Sequence, residues 1–425
     1  MAKTYDTYKN SGIAWIGEIP GEWRVEKARH IFTQRNSKGN KTPILLSATQ
    51  INGMYPQHLL EGVVQVQKST DLQTFKTVHK NDYVISLRSF QGGFEMSDYE
   101  GVCSPAYQVF YNKIDICHQY YKLLFKSQGF ISMINSLVVG IREGKNIQYG
   151  SFSYSYLPFP PLSVQQSISS FLDTKCGEID SLISIQEEMI SELLAYKQSV
   201  ITEAVTKGLD KKAKMKNSGV EWIGDIPEEW EVCKVKNIFY LSTGTTPKSF
   251  DSINDGEETV NWFTPTDIID GGNELWCSKR KLSINTIENE GVCLFPPKTL
   301  MYVGIGATAG KVGFACVKGY SNQQITALIS KGYGDKYFYY LLNSIRVMIR
   351  ENAFFTTLPI INNSYLGQKS IPVPPLPVQQ AIATYLDEKT SQIDSLIALK
   401  QSKIESLKEY KKSIIYEYVT GKKRV

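Results

Sequence analysis

The residues with the clearest potential for chemistry are the glycines and the lysine within 304–311. Gly310-Lys311 matches the end of a P-loop, in which backbone N–H groups and a lysine hold the phosphates of a nucleotide. A P-loop requires Gly-x-x-x-x-Gly-Lys followed by Ser or Thr. Here Gly306 is one residue too close to Gly310, and Val312 follows the lysine. The segment therefore predicts a glycine-rich β-turn and no nucleotide site.

The sequence YVGIG at 302–306 resembles the aromatic-x-Gly-x-Gly loop of adenine methyltransferases. Those enzymes also need a catalytic Asn or Asp before a Pro-Pro pair, whereas the Pro-Pro pairs of this chain follow Phe159, Phe295 and Val373. The chain also has neither the spaced carboxylates with a lysine that mark nucleases nor a Ser-His-Asp elbow. We therefore expect the chain to carry no chemistry of its own, and we assign no catalytic residue.

Composition argues against several further classes of site. The seven cysteines include no Cys-x-x-Cys pair, and the four histidines have no metal-ligand spacing, so we expect neither a disulfide nor a metal site. The net charge of +5 is compatible with nucleic-acid binding but does not identify it. The N-terminus lacks an apolar signal segment, and no apolar run approaches the roughly 20 residues of a membrane span. We expect a soluble cytoplasmic protein.

An internal repeat defines the elements that position any site. KNSGIAWIGEIPGEW at 9–23 recurs as KNSGVEWIGDIPEEW at 216–230, and PPLSVQQSISSFLD at 160–173 recurs as PPLPVQQAIATYLD at 374–387. The stretches between them, roughly 35–157 and 243–370, do not align with each other. A repeat with two dissimilar inserts predicts two equivalent positions that contact different partners.

The second repeated segment opens a long helix in both halves. A proline pair, which is tolerated at a helix entrance, precedes each one. About 40 residues give a rod of roughly 60 Å. Apolar residues follow at steps of mostly three or four, as in a helix that packs against another helix: Ile168, Leu172, Ile179, Leu182, Met189, Leu193, Tyr196, Val200 and Ala204, then Ile382, Leu386, Ile393, Leu396, Leu407, Tyr410 and Ile414. We expect the two helices to pack antiparallel, with the inserts at opposite ends.

The inserts have the short β-branched and aromatic segments of strands, bounded by Gly, Asn, Asp or Pro. These strands are predicted at 63–67, 82–87, 107–111, 299–303, 311–317 and 325–329, with a helix late in each insert at 120–137 and 335–349. The tryptophan segments form an apolar collar before each insert, for which core packing is favoured over ligand contact. The predicted fold class is α+β: two mixed, mostly β domains separated by two long antiparallel coiled-coil helices with pseudo-twofold internal symmetry.

The predicted domains follow from this order. Residues 1–157 form the first domain with its N-terminal collar, and 158–208 the first long helix. Residues 209–370 form the second domain with the repeated collar, and 371–425 the second long helix.

In this arrangement the chain resembles the specificity subunit of type I restriction-modification systems. The resemblance rests on the NSGxxWIGxIPxxW pair, the Pro-Pro-Leu-x-x-Gln-Gln helix openings, the Ile-Asp-Ser-Leu-Ile pair at 179–183 and 393–397, and the Ser-Asn-Gln-Gln at 321–324. It covers essentially the whole chain. No single motif is strong, but four in this order, three of them repeated in both halves, are specific.

The resemblance implies a non-catalytic subunit with two target-recognition domains, each reading one half of a split site in double-stranded DNA. It implies that the helices set the spacer and dock two methyltransferase subunits, and that restriction subunits join the full complex. AdoMet, ATP and Mg²⁺ would be bound by those partners, and no cofactor by this chain.

Candidate DNA contacts are polar residues of the inserts that can reach bases or phosphates. They are Lys38, Lys41, Arg88, Ser89 and Gln91 in the first insert, and Lys279, Arg280, Lys281, Thr308 and Lys311 in the second. For each of them a plain surface role is favoured over base reading. Tyr302 and Phe90 fit either base contact or the β core, with the core favoured.

A second function from a different class stays open, namely a coiled-coil scaffold whose two variable domains bind proteins. The DNA target and spacer length do not follow from sequence, because base preference depends on side-chain geometry in the divergent loops.

Overall fold

The computed structural model describes residues 4–39, 44–50, 52–60, 72–137, 147–248, 259–290, 292–351, 354–355 and 359–425. These residues form two compact units. The first unit combines 1–187 with 401–425, and the second consists of 188–400. Each unit contains one insert, one collar and a segment of both long helices.

Short strands occur throughout each insert. The first unit contains β1 (Tyr8–Asn10), β2 (Glu18–Pro20), β3 (Arg24–Lys27), β4 (Phe32–Arg35), β5 (Leu46–Thr49), β6 (Gly53–Pro56), β7 (Lys76–Val78), β8 (Tyr83–Ile85), β9 (Glu95–Met96), β10 (Gly101–Cys103), β11 (Gln108–Asn112) and β12 (Tyr156–Phe159). The second contains β13 (Met215–Asn217), β14 (Asp225–Pro227), β15 (Glu231–Lys234), β16 (Phe239–Thr243), β17 (Thr259–Phe263), β18 (Asn273–Leu275), β19 (Arg280–Ser283), β20 (Thr299–Val303), β21 (Val312–Ala315), β22 (Tyr320–Ser321), β23 (Ile325–Ser330), β24 (Phe354–Phe355), β25 (Pro359–Ile360) and β26 (Ser370–Val373).

Helices alternate with these strands. They are α1 (Ala28–Ile31), α2 (Ser89–Gly92), α3 (His118–Lys126), α4 (Gln128–Ser136), α5 (Tyr149–Ser153), α6 (Leu162–Lys207), α7 (Val235–Ile238), α8 (Ile284–Glu290), α9 (Asp335–Ser344), α10 (Arg346–Glu351), α11 (Asn363–Gly367) and α12 (Leu376–Val419). Short 3₁₀ turns occur at Gln57–Leu59, Leu72–Thr74 and Pro265–Asp267. The mixed helix and strand content confirms the α+β class.

Both inserts have a central sheet with the same arrangement of its main strands. The order is β4-β11-β8-β9 in the first unit and β16-β23-β20-β21-β18 in the second. Side chains alternate between the two faces of a strand. In β20, accordingly, Leu300 and Tyr302 join the core on the helix side, while Met301 and Val303 join a smaller core on the opposite face. Burial of Tyr302 agrees with the core interpretation.

The collars are small hairpins, β1-β2 and β13-β14, that cover the core. Trp23 and Trp230, which end the two repeated segments, are buried in the cores of their units. Core packing of these two tryptophans is therefore confirmed.

The long helices begin where the proline pairs predict and are longer than expected, with 46 residues in α6 and 44 in α12. The first one ends at Gly208, which has φ +77° and donates its N–H to the carbonyl of Ala204. Within the first unit the rings of Phe171 and Tyr418 pack at a tilt with their centroids 4.6 Å apart, and further along the two segments Asp180 pairs with Lys411. The two segments therefore run antiparallel in that unit. In the second unit Met189 and Lys400, then Lys197 and Asp394, show the same direction.

The first glutamine of each helix opening explains that motif. Gln165 Oε1 accepts the N–H of Cys117, and its Nε2 donates to the carbonyl of Pro160, both at 2.9 Å. Gln379 makes the same two hydrogen bonds in the second unit, to Gly334 N and Pro374 O. Both glutamines are buried. Each one ties the start of a long helix to the start of the helix that follows the central sheet.

Several sequence predictions need correction. The helix at 120–137 is two helices, α3 and α4, because Ser127 takes an extended conformation between them, and the helix at 335–349 is likewise divided at Ile345. The strand at 63–67 lies outside the described residues. Four residues assigned to the helix seam are about half exposed because the packed stripe does not include them: Leu182, Tyr196, Leu396 and Tyr410.

Candidate nucleic-acid interface

Three loops of the second unit meet at one end of its central sheet. Thr243, at the end of β16, pairs with Thr326 near the start of β23, and Val303, at the end of β20, pairs with Ile325. The segments 244–248, 321–324 and 304–311 therefore emerge side by side, since they continue or precede these strand ends. We call this end of the sheet the loop end of the second unit.

The first two of these loops are joined by hydrogen bonds. Thr246 Oγ1 donates to Gln323 Oε1, and the N–H of Thr245 donates to the carbonyl of Ser321 at 2.8 Å. Within the second loop Asn322 Nδ2 donates to Gln324 Oε1 at 3.0 Å. Gly244 allows the close approach of the two loops, because a Cβ there would overlap the Ser321 hydroxyl and the Asn322 carbonyl. Gln323 is exposed although Ser321 and Asn322 beside it are buried. The loop thus presents a glutamine from a rigid base, a residue that can read adenine in the major groove.

The basic cluster Lys279, Arg280 and Lys281 is exposed and lies on the strand pair β17-β19. Arg280 lies 5.0 Å over the ring of Trp262, whose Nε1 donates to the carbonyl of Thr245 at 3.3 Å. The structure therefore places Arg280 beside the 244–248 loop. Lys281 Nζ donates to Asn261 Oδ1.

Lys279 is anchored on the same strand pair. Its Nζ donates to the carbonyl of Thr266 at 2.8 Å, and its backbone N–H donates to Asp267 Oδ1 at 2.7 Å. Lys279 is consequently held by hydrogen bonds to the turn at Pro265–Asp267, and Lys281 by a hydrogen bond to β17.

The third loop contains Thr308 and Lys311. Gly306 and Gly310 have φ +106° and +97°, so the loop is the tight glycine turn that the sequence predicts. Lys311 and Thr308 line a cavity with Asp270, Arg346 and Arg350. No sequence motif identified Arg346 and Arg350 as candidate site residues. They reach the cavity because α10 packs against the glycine turn.

The first unit has an equivalent loop end. Arg35, at the end of β4, pairs with Val109, and Gln108 pairs with Ile85 at the end of β8. The loops after β4 and β8 therefore lie together, and they contain the sequence candidates of the first insert. Lys38, Arg88 and Gln91 are exposed there, and Lys41 lies outside the described residues.

Ser89 is a correction to the sequence prediction. Its side chain is only 1% exposed, and its hydroxyl accepts the N–H of Ser86 at 2.9 Å at the start of α2. A buried hydroxyl that is bonded to the backbone of Ser86 cannot reach a base in this structure. Arg88 and Gln91, which flank it, point outward from the same short helix.

The loop after β8 has the same place in the topology as the glycine turn after β20. Each connects two neighbouring antiparallel strands of the central sheet, β8 to β9 and β20 to β21. The residues of the two loops differ, since one carries Arg88 and Gln91 and the other Thr308 and Lys311. Equivalent positions thus present different chemical groups.

Two ion pairs lie next to the loop end of the first unit. Arg35 Nε and Nη2 donate to the two carboxylate oxygens of Asp82 at 2.6 and 2.9 Å. Lys126 pairs with the buried Glu95. Burial raises the pKa of the Glu95 carboxyl, and the Lys126 ammonium partly offsets that rise. Both pairs join strand ends to the rest of the unit and so stiffen the base of the loops.

The long helices carry a second candidate surface. Six large apolar side chains are 47% to 67% exposed, and they form three pairs at corresponding positions of the repeat: Leu182 and Leu396, Ile185 and Leu399, Tyr196 and Tyr410. Each unit contains one member of every pair. The same three positions are thus exposed and apolar in both copies of the repeat.

In the described part of the chain no group of three or more His, Cys, Asp or Glu could hold a metal ion. No described helix is both long and apolar enough to cross a membrane.

Comparison with known proteins bears on the whole chain. The family model described as the type I restriction modification DNA specificity domain matches residues 8–194 and again 227–409. A putative type I restriction enzyme MjaX specificity subunit from Methanocaldococcus jannaschii is 25% identical, with 96% of each chain covered. The MjaVIII specificity subunit from the same organism is 24% identical over 96% of this chain and 94% of its own.

Solved structures show the same fold. A chain from a structure of a type I R-M system aligns with a TM-score of 0.69 over 94% of this chain and 98% of its own, at 14% identity. The HsdS subunit from Thermoanaerobacter tengcongensis aligns with a TM-score of 0.54 over 95% and 98%, also at 14% identity. Because the two matches to the family model together span most of the sequence, the chain belongs to the family of type I restriction-modification specificity subunits.

Proposed function

We propose that this protein is the DNA-reading subunit of a type I restriction-modification enzyme, and that each loop end reads one half of a bipartite site in double-stranded DNA. One observation carries the proposal. Each unit has a central sheet of the same strand arrangement, and loops of unrelated sequence lie at the corresponding end of the two sheets. Unlike side chains on a common scaffold are what recognition of two different half-sites requires. Gln323 and Arg280 in the second unit, and Arg88 and Gln91 in the first, are the side chains best placed to contact bases.

The long helices then act as the spacer between the half-sites, and the two halves follow a pseudo-twofold symmetry. The repeated ion pairs, Asp180 with Lys411 and Asp394 with Lys197, support this symmetry because each unit contains the same contact made by opposite copies. The antiparallel direction found within each unit agrees with the proposed coiled coil.

The duplicated apolar surface on the helices is proposed to dock two methyltransferase subunits. Two copies of one partner need two similar patches, and the three repeated pairs of exposed Leu, Ile and Tyr side chains meet that need. Restriction subunits would join the full complex through this assembly. The chain itself would be non-catalytic, and AdoMet, ATP and Mg²⁺ would bind to the partner subunits.

A gel-shift experiment tests the proposal. The purified chain, assembled with its methyltransferase partner, is mixed with a library of random duplexes, and the bound fraction is sequenced. We expect enrichment of one split motif with a constant spacer. Binding without any sequence preference would refute DNA recognition and favour the alternative function, a scaffold whose two variable domains bind proteins.

A variant with both candidate readers of one unit removed provides the internal control. Gln323→Ala with Arg280→Ala should relax one half of the enriched motif and leave the other half intact. Relaxation of both halves would contradict the assignment of one unit to one half-site.

A further inference from the structure

We propose that the second unit holds a phosphate-binding site between the glycine turn at 304–311 and α10, and that a phosphodiester group of the bound DNA occupies it. The inference rests on the proposed function and adds a role to it, since these residues would position the duplex without reading its sequence. The cavity has a volume of about 320 Å³, and its walls are the turn, α10 and the exposed Asp270.

Three cations converge on this cavity. Arg346 and Arg350 are four residues apart on α10 and therefore lie on the same helix face. The turn rests directly on that face, because a Cβ built on Gly310 would come within 3.3 Å of the carbonyl oxygen of Arg346. Lys311, the next residue, is thereby held beside the two arginines. The positive φ of Gly310 and its contact with α10 together make glycine the residue that permits this approach.

The charges of the cavity are only partly balanced by the residues that the structure describes. Arg346 pairs with Asp270, the one carboxylate among the described lining residues. Among the described residues neither Lys311 nor Arg350 has an ion-pair partner. An anion bound here would reduce the repulsion among the three cations. Lysine and arginine are also the side chains that most often bind phosphate, through charge-assisted hydrogen bonds.

The composition of the lining favours a phosphate over a base edge. The polar side chains among its described residues are Lys311, Arg346, Arg350, Thr308 and Asp270, which include no Asn or Gln. Lys and Arg supply charge, and the Thr308 hydroxyl adds a donor of the kind that commonly contacts DNA phosphates. The turn also starts from the loop end that presents Gln323, so a duplex read by Gln323 would pass its backbone close to this cavity.

The salt dependence of DNA binding tests the inference. The complete complex with the methyltransferase partner is titrated with a target duplex and a random duplex, using wild type, Lys311→Ala, Arg350→Ala and the double variant. The slope of log Kobs against log salt is negative, and each lost phosphate contact should reduce its magnitude by about 0.9. Between about 50 and about 200 mM salt, wild type should therefore lose roughly tenfold more affinity than the double variant. The reduction in the magnitude of the slope should be equal for the target duplex and the random duplex.

Three controls separate the site from general effects. Arg350→Lys keeps the charge and should retain the wild-type slope. Lys318→Ala removes an exposed charge from the segment before β22 and should also leave the slope unchanged. If Lys318→Ala reduced the magnitude of the slope as much as Lys311→Ala does, the inference would be overturned, because net charge alone would then explain the effect. A loss of affinity confined to the target duplex would also overturn the inference, because it would indicate base reading.

Inorganic phosphate distinguishes the two possible sources of the anion. If calorimetry detects phosphate binding that the double variant loses, but the DNA salt slope stays unchanged, the occupant is free phosphate and the DNA assignment fails. If the wild-type complex showed no preference for the target duplex, the proposed function would be refuted, but a salt slope of smaller magnitude in the double variant would still support the phosphate site. If the wild-type complex preferred its target and the double variant kept the wild-type salt slope, only the phosphate site would be refuted.

Discussion

The ammonium of Lys411 lies 2.7 Å from both carboxylate oxygens of Asp180, and Lys197 contacts Asp394 at the same distances in the second unit. Both aspartates are the second residue of the repeated Ile-Asp-Ser-Leu-Ile segment. The segment thus has a structural purpose in each unit, since it supplies the acidic partner that joins α6 to α12.

Reversing one charge of this pair should weaken the contact between the helices. Because Asp180 is about half exposed, we expect Lys411→Glu to lower the free energy of unfolding by only about 0.5–1 kcal/mol. The double exchange, Asp180→Lys with Lys411→Glu, should restore most of that loss in urea denaturation. Losses that simply add in the double variant would show that the pair has no coupling energy.

Gln165 should matter far more than its neighbour Gln166. Gln165→Ala removes two buried hydrogen bonds and leaves the N–H of Cys117 without its acceptor, so we expect a loss of about 2–3 kcal/mol in unfolding free energy. Gln166 is exposed, and Gln166→Ala should change stability by less than about 0.5 kcal/mol. Equal losses in the two variants would mean that Gln165 does not tie the two helices together.

Gly421 should not tolerate a side chain. It has φ +76°, and a Cβ there would lie 2.8 Å from Pro20 Cγ. We expect Gly421→Ala to cost about 2 kcal/mol or more, from the left-handed backbone and the steric overlap together. Gly12 has φ +72° with nothing within 4 Å of a Cβ, so Gly12→Ala should cost only the backbone part, about 1 kcal/mol. Thermal denaturation of the two variants compares these costs, and equal shifts would show that Pro20 relaxes freely.

Glu95 should give the first unit a pH-dependent stability. Because its pKa is raised in the folded state, the folded protein holds this proton more tightly than the unfolded chain does. The contribution of Glu95 to the free energy of unfolding should therefore fall as the pH rises from its ordinary pKa of 4.5 through the raised folded-state value. Glu95→Gln removes the titration, so its stability should decline less steeply than that of wild type across this window. Parallel pH curves for the two proteins would contradict the prediction, whatever their vertical separation.

Exchange of one insert should change one half of the DNA target. Replacing residues 37–156 with the corresponding insert of a relative should alter one half-site and preserve the other, because the second loop end is untouched. Genome-wide mapping of methylated adenines reads both halves at once. The reciprocal exchange of 243–370 is the matched control and should alter the opposite half. A change in both halves after a single exchange would refute the division of the site between the units.

Local signals in the sequence predicted much of this fold. The proline pairs located the starts of α6 and α12, and the run TLMYV at 299–303 located β20 to the residue. These features depend on backbone restriction and on the period of apolar residues, which act over a few neighbours. The tryptophan collars were also predictable, since their repetition marked them as core.

Other features depend on contacts between distant segments, and the sequence could not reveal them. The exposure of Leu182 and Tyr410 depends on which stripe of each helix faces its partner, and the Asp180–Lys411 contact spans 231 residues. Likewise Arg346 and Arg350 belong to no motif, and they join the glycine turn only because α10 packs against Gly310. The sequence candidates at the loop ends stay predictions, except Ser89, whose burial depends on the local conformation of α2.

The C-terminal half of α12 completes the core of the first unit. Ile414 and Val419 are buried with Trp23, and the hydroxyl of Tyr120 donates to the carbonyl of Val419 at 2.7 Å. These residues follow the second unit in the sequence, whereas residues 188–400 form a continuous stretch that contains the core of the second unit. Domains generally fold as units during synthesis, the N-terminal one first. Here residues 401–425 are translated after the whole second unit, so we expect the second unit to complete its core before the first does.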